Sequence, residues 1–296
     1  MRLDWFLYHV ASGHAFFSGP ALIAAAVGIG AITADTSRWR RVMPIATLLG
    51  VLLVAVSATP LPWVMYAVFA VALATWIVVG ARRTRLSNRA VASARILLGL
   101  FLIAAAALEL PWHIRPEVPT GSATALAVIA DSVTAGIGEN EAVTWPARLS
   151  DRHGITVHDH SAMGATVASA REQAELLTPE DDVVLIEIGG NDLLGSTSAE
   201  DFASGLEALL RDVSKPGRTL VMFELPLPPT FNRYGMIQRR LATKYDVVLI
   251  PKRTLMGVLT GRAATLDSIH LSQPGHDRMA EVVWKIVSPA FQPDSE

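Results

Sequence analysis

Four short stretches of this 296-residue chain carry residue types suited to nucleophilic chemistry. The first is Asp131-Ser132, placed directly after the apolar run Leu126–Ala130 and followed by small residues and two glycines, Gly136 and Gly138. The second contains Gly164, the third is Gly189-Gly190-Asn191-Asp192, and the fourth is Asp267-Ser-Ile-His270. A serine hydroxyl is a poor nucleophile at neutral pH. It needs a base within hydrogen-bond reach, and the base needs a third group to orient it. Asp267 and His270 lie three apart, close enough for the carboxylate to fix the imidazole. Charge developing on a carbonyl oxygen also needs preset donors. The backbone N–H groups of Ser132 and Gly164 and the side-chain amide of Asn191 are candidates, and glycine at 164 lets the backbone approach closely. Taken alone, Asp131 or Ser132 could equally cap the helix that follows.

Sequence-distant residues of this kind act together only if the intervening elements converge. Beyond residue 120, apolar runs alternate with helical patterns. Strands are predicted at Ala123–Ala130, Ile155–His158, Val183–Ile188, Thr219–Leu225 and Val247–Ile250. Helices are predicted at Trp145–Arg152, Ala165–Leu177, Ala199–Val213, Tyr234–Tyr245 and Gly275–Val287. This alternation argues for a parallel sheet with helices on both faces. In such folds the strand-to-helix loops emerge on one edge, where ligands bind. All four stretches fall on those loops.

In order and in spacing, Asp131-Ser132, Gly164, Gly189-Gly190-Asn191-Asp192 and Asp267-x-x-His270 resemble the SGNH (GDSL) hydrolase family. Val184-Leu-Ile-Glu-Ile-Gly-Gly-Asn-Asp192 and Trp145-Pro146 are similar to its branch of bacterial lysophospholipase/thioesterase I. The resemblance covers residues 123–290 and none of the first half. It implies a flavodoxin-like α/β domain, a five-stranded parallel sheet flanked by helices. It also implies hydrolysis of an ester or thioester through an acyl-serine, with no metal or organic cofactor. By position it makes Ser132 the nucleophile, His270 the base and Asp267 its orienter. Ser132, Gly164 and Asn191 form the oxyanion hole, with Asp131, Gly190 and Asp192 in support. The chain departs from the family at Ala130, where glycine is usual, and at Leu271, where proline often follows the histidine.

The first half has a different character. Residues 1–120 carry ten Arg, no Lys and four acids, against fifteen Lys plus Arg and twenty-three acids in the remainder. The arginines of the basic half fall in two clusters between very apolar runs, which is not the pattern of a nucleic-acid surface. The runs have bilayer length, and four spans are expected near residues 15–34, 42–59, 62–80 and 91–109. Trp39, Trp63 and Trp112 stand at run ends, as in an interfacial belt. Four such runs leave no polar face for water. The expected organisation is therefore a transmembrane α-helical domain over residues 1–110, a stiff linker at 111–121 and a hydrolase domain at 122–292. Cysteine is absent, which excludes disulfides and thiolate metal sites. Arg38, Arg40 and Arg41 lie between spans one and two, and Arg82, Arg83, Arg85 and Arg89 between spans three and four. Short basic loops stay in the cytoplasm, so residues 120–296 are expected outside a bacterial inner or plasma membrane.

Other groups were open to two readings each. Glu187 interrupts an apolar strand, as a perturbed catalytic acid or a structural hydrogen-bonding group. His9 and His14 precede the first span, as functional or interfacial residues. Arg233, Arg239 and Arg240 read as a solvated helix face or as a contact for an anionic head group. His276 reads as a surface residue, and His153, His158 and His160 lack ligand spacing for a metal. The expected function is a membrane-anchored serine esterase cleaving an acyl ester of an envelope lipid or glycan. Its expected partners are that acylated substrate and the lipid bilayer, without nucleic acid or cofactor. Transfer of the acyl group to a sugar hydroxyl at the same site, and a non-enzymatic scaffold that binds acylated ligands, remain as alternatives.

Overall fold

A computed structural model describes residues 3–32, 37–57, 59–82, 87–137 and 143–292. Arg83, Arg85 and Gly138 lie outside the described residues. The chain forms two compact units. One comprises His9–Ile114 with Pro228–Asn232, the other Arg115–Leu227 and Arg233–Glu296 with Met1–Tyr8.

The first unit is helical. Its helices are α1 (Leu3–Ala11, begun in the other unit), α2 (His14–Ile32), α3 (Ser37–Val56), α4 (Trp63–Ala81) and α5 (Asn88–Glu109). The four predicted spans fall on α2 to α5. Helices α1 and α2 meet at an 85° bend, where Gly13 takes a positive φ of 82°. Helices α2 and α3 pack through glycines. A Cβ on Gly19 would stand 2.6 Å from the Gly50 carbonyl oxygen, and one on Gly50 would stand 2.7 Å from that of Gly19. Among the described residues, one helix, Asn88–His113, is long and apolar enough to cross a bilayer. The bent pair Asp4–Ala11 and His14–Ile29 passes the same test together, and Val42–Val56 and Trp63–Val79 are apolar but shorter.

The second unit is α/β. Strands β1 (Ala125–Ala130), β2 (Thr156–Asp159), β3 (Asp181–Glu187), β4 (Thr219–Phe223) and β5 (Val248–Ile250) form one sheet in the order β2-β1-β3-β4-β5. Every pairing is parallel. This is the doubly wound order in which the chain reverses direction between β1 and β3, and ligands bind at that switch point. All six residues of β1 are buried, as the continuous apolar run of a strand covered on both faces requires. The helices are α6 (Ser132–Ala135), α7 (Trp145–His153), α8 (Ala170–Ala174), α9 (Gly190–Leu194), α10 (Ala199–Val213), α11 (Asn232–Lys244), α12 (Lys252–Leu259) and α13 (Gln273–Val287). Trp145 and Leu149 of α7, Leu255 and Val258 of α12, and Met279, Val283 and Ile286 of α13 share a core with Leu126 and Val128.

Three expectations change. The predicted helix Ala165–Leu177 is confined to Ala170–Ala174, because the Ala165 carbonyl and the Val167 N–H bond to Asn191 and Asp192 after β3. Helix α12 occupies what read as a long loop. Its buried residues are Lys252, Leu255, Met256 and Val258. Arg239 is not on a solvated face. It is 6 % exposed and pairs with the buried Glu224 at 2.7 Å. Gln238 beside it accepts from the Leu225 N–H at 2.9 Å, so α11 ties down the end of β4.

Gly189, where β3 turns into α9, has φ +112°, and a Cβ there would stand 2.9 Å from both Leu225 and Phe202. Gly189→Ala is expected to lower unfolding free energy by about 1–3 kcal/mol through overpacking and backbone strain. Chemical or thermal unfolding of the purified variant measures it, and an unchanged midpoint would show that the turn relaxes freely.

Candidate active site

Strand β1 delivers Asp131-Ser132 to the switch point. The Asp131 backbone N–H donates to the Glu187 carbonyl at the end of β3, 3.1 Å away. Its carboxylate then accepts the Val133 N–H at 2.9 Å and caps α6. Asp131 is thus the cap, and Ser132, the first residue of α6, is left with its hydroxyl free to face a partner. Ala130, the departure from the family's glycine, is fully buried. The Gln173 side chain braces it from α8, accepting its N–H at 3.0 Å and donating to its carbonyl at 3.1 Å.

Two acids lie behind the turn. Glu187 is buried and accepts from the Thr134 hydroxyl at 3.1 Å. That hydroxyl in turn accepts the indole N–H of Trp145 at 3.0 Å. Burial pushes the Glu187 carboxyl well above its usual range, and the nearby Asp131 carboxyl adds to the effect. Burial also raises Asp131 to about 6, outweighing the Val133 N–H bond. The bond made by Glu187 goes to Thr134 beneath the nucleophile, which is the structural reading of this residue. Sequence reasoning missed Thr134 and Gln173. Neither belongs to a motif, and only their buried polar contacts reveal them.

The base arrives on a closed loop between α12 and α13. Thr265 and Leu271 form an antiparallel bridge, and the Leu266 N–H donates to the His270 carbonyl at 2.8 Å. Leu271, the second departure from the family pattern, is buried and anchors this loop in the core. Within it, one Asp267 carboxylate oxygen accepts the N–H groups of Ile269 and His270 at 3.1 and 2.9 Å. The other lies 2.7 Å from His270 Nδ1. His270 Nε2 is 3.1 Å from Ser132 Oγ. The His270 backbone N–H, its imidazole and the Ile269 N–H together pull the Asp267 carboxyl down to about 2. The tautomer that fits carries the proton on Nδ1, toward Asp267, and leaves Nε2 to accept the serine proton.

The remaining motif residues lie on two loops that are tied together. Gly164, after β2, has φ +76° with open space where a side chain would be. A residue with a Cβ would be strained there. The Asn191 amide donates to the Ala165 carbonyl at 3.0 Å. The buried Asp192 carboxylate accepts the Val167 N–H at 2.9 Å. Gly190 lets the Asp131 carboxylate come close, since a Cβ at 190 would lie 3.2 Å from it.

His276 corrects one expectation. It is fully buried, because its Nδ1 accepts the Trp145 backbone N–H at 3.2 Å and so fixes the start of α7 against α13. The other histidines have local contacts. His158 pairs with Asp181 at 2.7 Å, and His153 stacks on Trp284 with ring centroids 4.0 Å apart. Among the described residues no set of three His, Cys, Asp or Glu side chains is placed to hold a metal. Arg233 pairs with Glu200 at 2.8 Å.

Comparison with known proteins gives a consistent picture. A model of the GDSL-like Lipase/Acylhydrolase family matches residues 131–278, half of the chain. Thioesterase 1/protease 1/lysophospholipase L1 of Escherichia coli (strain K12) is 27 % identical over 183 residues, 59 % of this chain and 88 % of that protein. Esterase TesA of Pseudomonas aeruginosa is 25 % identical over 182 residues, 57 % of this chain and 90 % of the relative. A crystal structure of TesA covers 56 % of this chain and 98 % of its own at 24 % identity, with a TM-score of 0.48. The chain belongs to the GDSL-like lipase/acylhydrolase, or SGNH, family and is an ester-cleaving hydrolase.

Proposed function

We propose that the protein is a membrane-anchored serine esterase that cleaves an acyl ester of an envelope lipid or glycan through an acyl-serine. The observation that carries the chemistry is the hydrogen-bonded series from Ser132 Oγ through His270 to Asp267, at 3.1 and 2.7 Å. In this reading the serine oxygen attacks the ester carbonyl and its proton passes to His270 Nε2. Asp267 holds the imidazolium. The oxyanion is received by the N–H groups of Ser132 and Gly164 and by the Asn191 amide, whose second N–H is not used by Ala165. The leaving alcohol then takes the proton from His270. A water, deprotonated by the same nitrogen, releases the acid and restores the serine. Asp131, Gly190 and Asp192 hold these loops in register.

The anchoring half of the proposal rests on solvent. Leu48 and Leu49 of α3, Val71 of α4, and Leu97, Leu100 and Ile103 of α5 are each 50–68 % exposed. Helices that turn such residues outward are suited to hydrocarbon surroundings. The glycine contact between α2 and α3 is of the kind that packs helices within lipid. In this reading α2 to α5 span the bilayer, with the arginine loops inside and residues 120–296 outside.

Three outcomes test the reading. Ser132→Ala should keep the fold, by circular dichroism, and lose labelling by a fluorophosphonate probe. Stoichiometric labelling of the variant would refute Ser132 as nucleophile. Asn191→Ala should lower kcat by roughly 10²–10³-fold with KM little changed, as expected for loss of one oxyanion donor. A raised KM at constant kcat would instead place Asn191 in ground-state binding. For topology, alkaline phosphatase fused after Glu296 should be active and green fluorescent protein at the same position dark. A fluorescent, phosphatase-negative pair would reverse the orientation and remove envelope substrates from the proposal.

A further inference from the structure

Exposed apolar side chains in the α/β unit are not scattered. Within residues 115–292, the large hydrophobic residues with high exposure are Leu176 and six others: Ile137, Val143, Met163, Leu194, Leu266 and Ile269. Those six are 40–72 % exposed. All six sit on the loops, or in the case of Leu194 the short helix α9, that follow the C-terminal ends of the strands. Ile137 and Val143 follow Ser132 on the loop between α6 and α7. Met163 precedes Gly164, Leu194 ends the helix that carries Asn191, Leu266 precedes Asp267 and Ile269 precedes His270. Four loops far apart in sequence therefore each place an exposed apolar side chain within five residues of a proposed site residue or, for Val143, at the foot of α7. Single exposed leucines need no explanation, whereas a set gathered on one edge marks an interaction surface.

We infer that this rim is a docking surface for the hydrocarbon layer of a lipid bilayer, seating the Ser132 site at the membrane surface so that the ester is taken from the bilayer and not from solution. The inference rests on the esterase reading of Ser132 and on the anchoring proposed above. Charge identifies the mode of attachment. Residues 121–296 carry fifteen Lys plus Arg against twenty-three acids, so an anionic bilayer repels this unit and attraction must come from apolar insertion. The chain also supplies the surface. Helix Asn88–His113 is of bilayer length and β1 begins at Ala125. Val118 is buried in the core of the α/β unit and Gly121 and Ala123 bond to Pro289 and Ala290, so residues 114–117 are left to extend, over at most about 14 Å. A tether of that reach keeps the bilayer at high effective concentration, so a modest apolar rim is enough.

The test uses the full chain reconstituted in vesicles of neutral and anionic phospholipid, with three substrates. One is a water-soluble acetyl ester, which also counts outward-facing sites. One is a long-chain ester presented as a monomer below its critical micelle concentration. One is the same long-chain ester resident in the vesicle bilayer. The double variant Met163→Ser, Leu194→Ser should cut turnover of the bilayer-resident ester by about tenfold or more, given the transfer free energy of two such side chains. Turnover of both soluble esters should be unchanged. Leu176→Ser, away from the rim, should leave all three rates unaltered. Equal losses on the monomeric and bilayer-resident long-chain esters would overturn the inference, and would make the rim an acyl-chain site. No loss on any substrate would overturn it as well. Wild-type protein inactive on all three would instead overturn the esterase reading, and the docking surface with it.

Discussion

A single hydrogen bond, Ser132 Oγ to His270 Nε2, joins residues 138 apart in sequence, and the arrangement of the α/β unit serves to keep it in place. Local bonds orient each partner, Asp131 capping α6 and Asp267 holding the imidazole, and long-range contacts fix where they stand. Ser132 is fixed because β1 lies between β2 and β3, and because the Asp131 N–H is bonded to the last residue of β3. His270 is fixed because its loop is closed by a backbone bridge and leads directly into α13, which packs on α7. The His276–Trp145 bond ties those two helices at the end nearest the serine. A shift of about 1 Å in either would break the contact, so buried side chains anchor both the turn that carries Ser132 and, through Leu271, the exposed loop that carries His270.

That shell includes groups with a stability cost. Glu187 and Asp131 are carboxyls with little exposure, and burial shifts both toward the protonated form. A hydrophobic pair would stabilise the sheet more. The acids are tolerated because each is bonded, Glu187 to Thr134 and Asp131 to the N-terminus of α6. A shift toward the protonated form also lessens the negative charge beside a reaction that develops an oxyanion. Asp267 is the contrast. It is exposed, accepts two backbone N–H groups besides the imidazole, and stays ionised down to about pH 2. Environment thus separates one carboxylate, suited to orienting a histidine, from two acids that hold a turn.

Much of this was legible in the sequence, for physical reasons that differ by element. Strands β1, β3, β4 and β5 were visible because buried parallel strands are continuous apolar runs, and the edges of all five, the half-exposed β2 included, moved by only one or two residues. Helix α10 is written in an amphipathic period and coincides with its expected range, Ala199–Val213. Residues 165–169 read as helix because their small side chains permit one. Their backbone groups are recruited by Asn191 and Asp192, a tertiary competition that periodicity does not record. His276 and Arg239 were read as surface residues because composition places charged and polar groups outside. Their burial depends on partners, Trp145 and Glu224, that adjoin them only in the folded chain. The motif blocks were visible because their chemistry fixes residue type. Thr134 and Gln173 were not, because a buried hydrogen bond can be met by many side chains.

The two units also show why a fold and its solvent must be read together. In the α/β unit the apolar faces of α7, α10 and α13 turn inward and their polar faces meet water. In the helical unit the pattern is inverted over much of α3, α4 and α5, and the inward contacts are glycines, alanines and a few large residues such as Phe16, Ile23 and Leu98. Interior packing of this kind is driven by close approach and dispersion, not by expulsion of water. In the proposed membrane setting, the hydrophobic effect that organises one unit does little to hold the other together. This difference separates the two sequences as sharply as their charges do. Under the anchoring proposal, an acid-rich enzyme unit joined to an arginine-rich apolar one reflects each satisfying its own solvent, with chemistry confined to the unit that meets water.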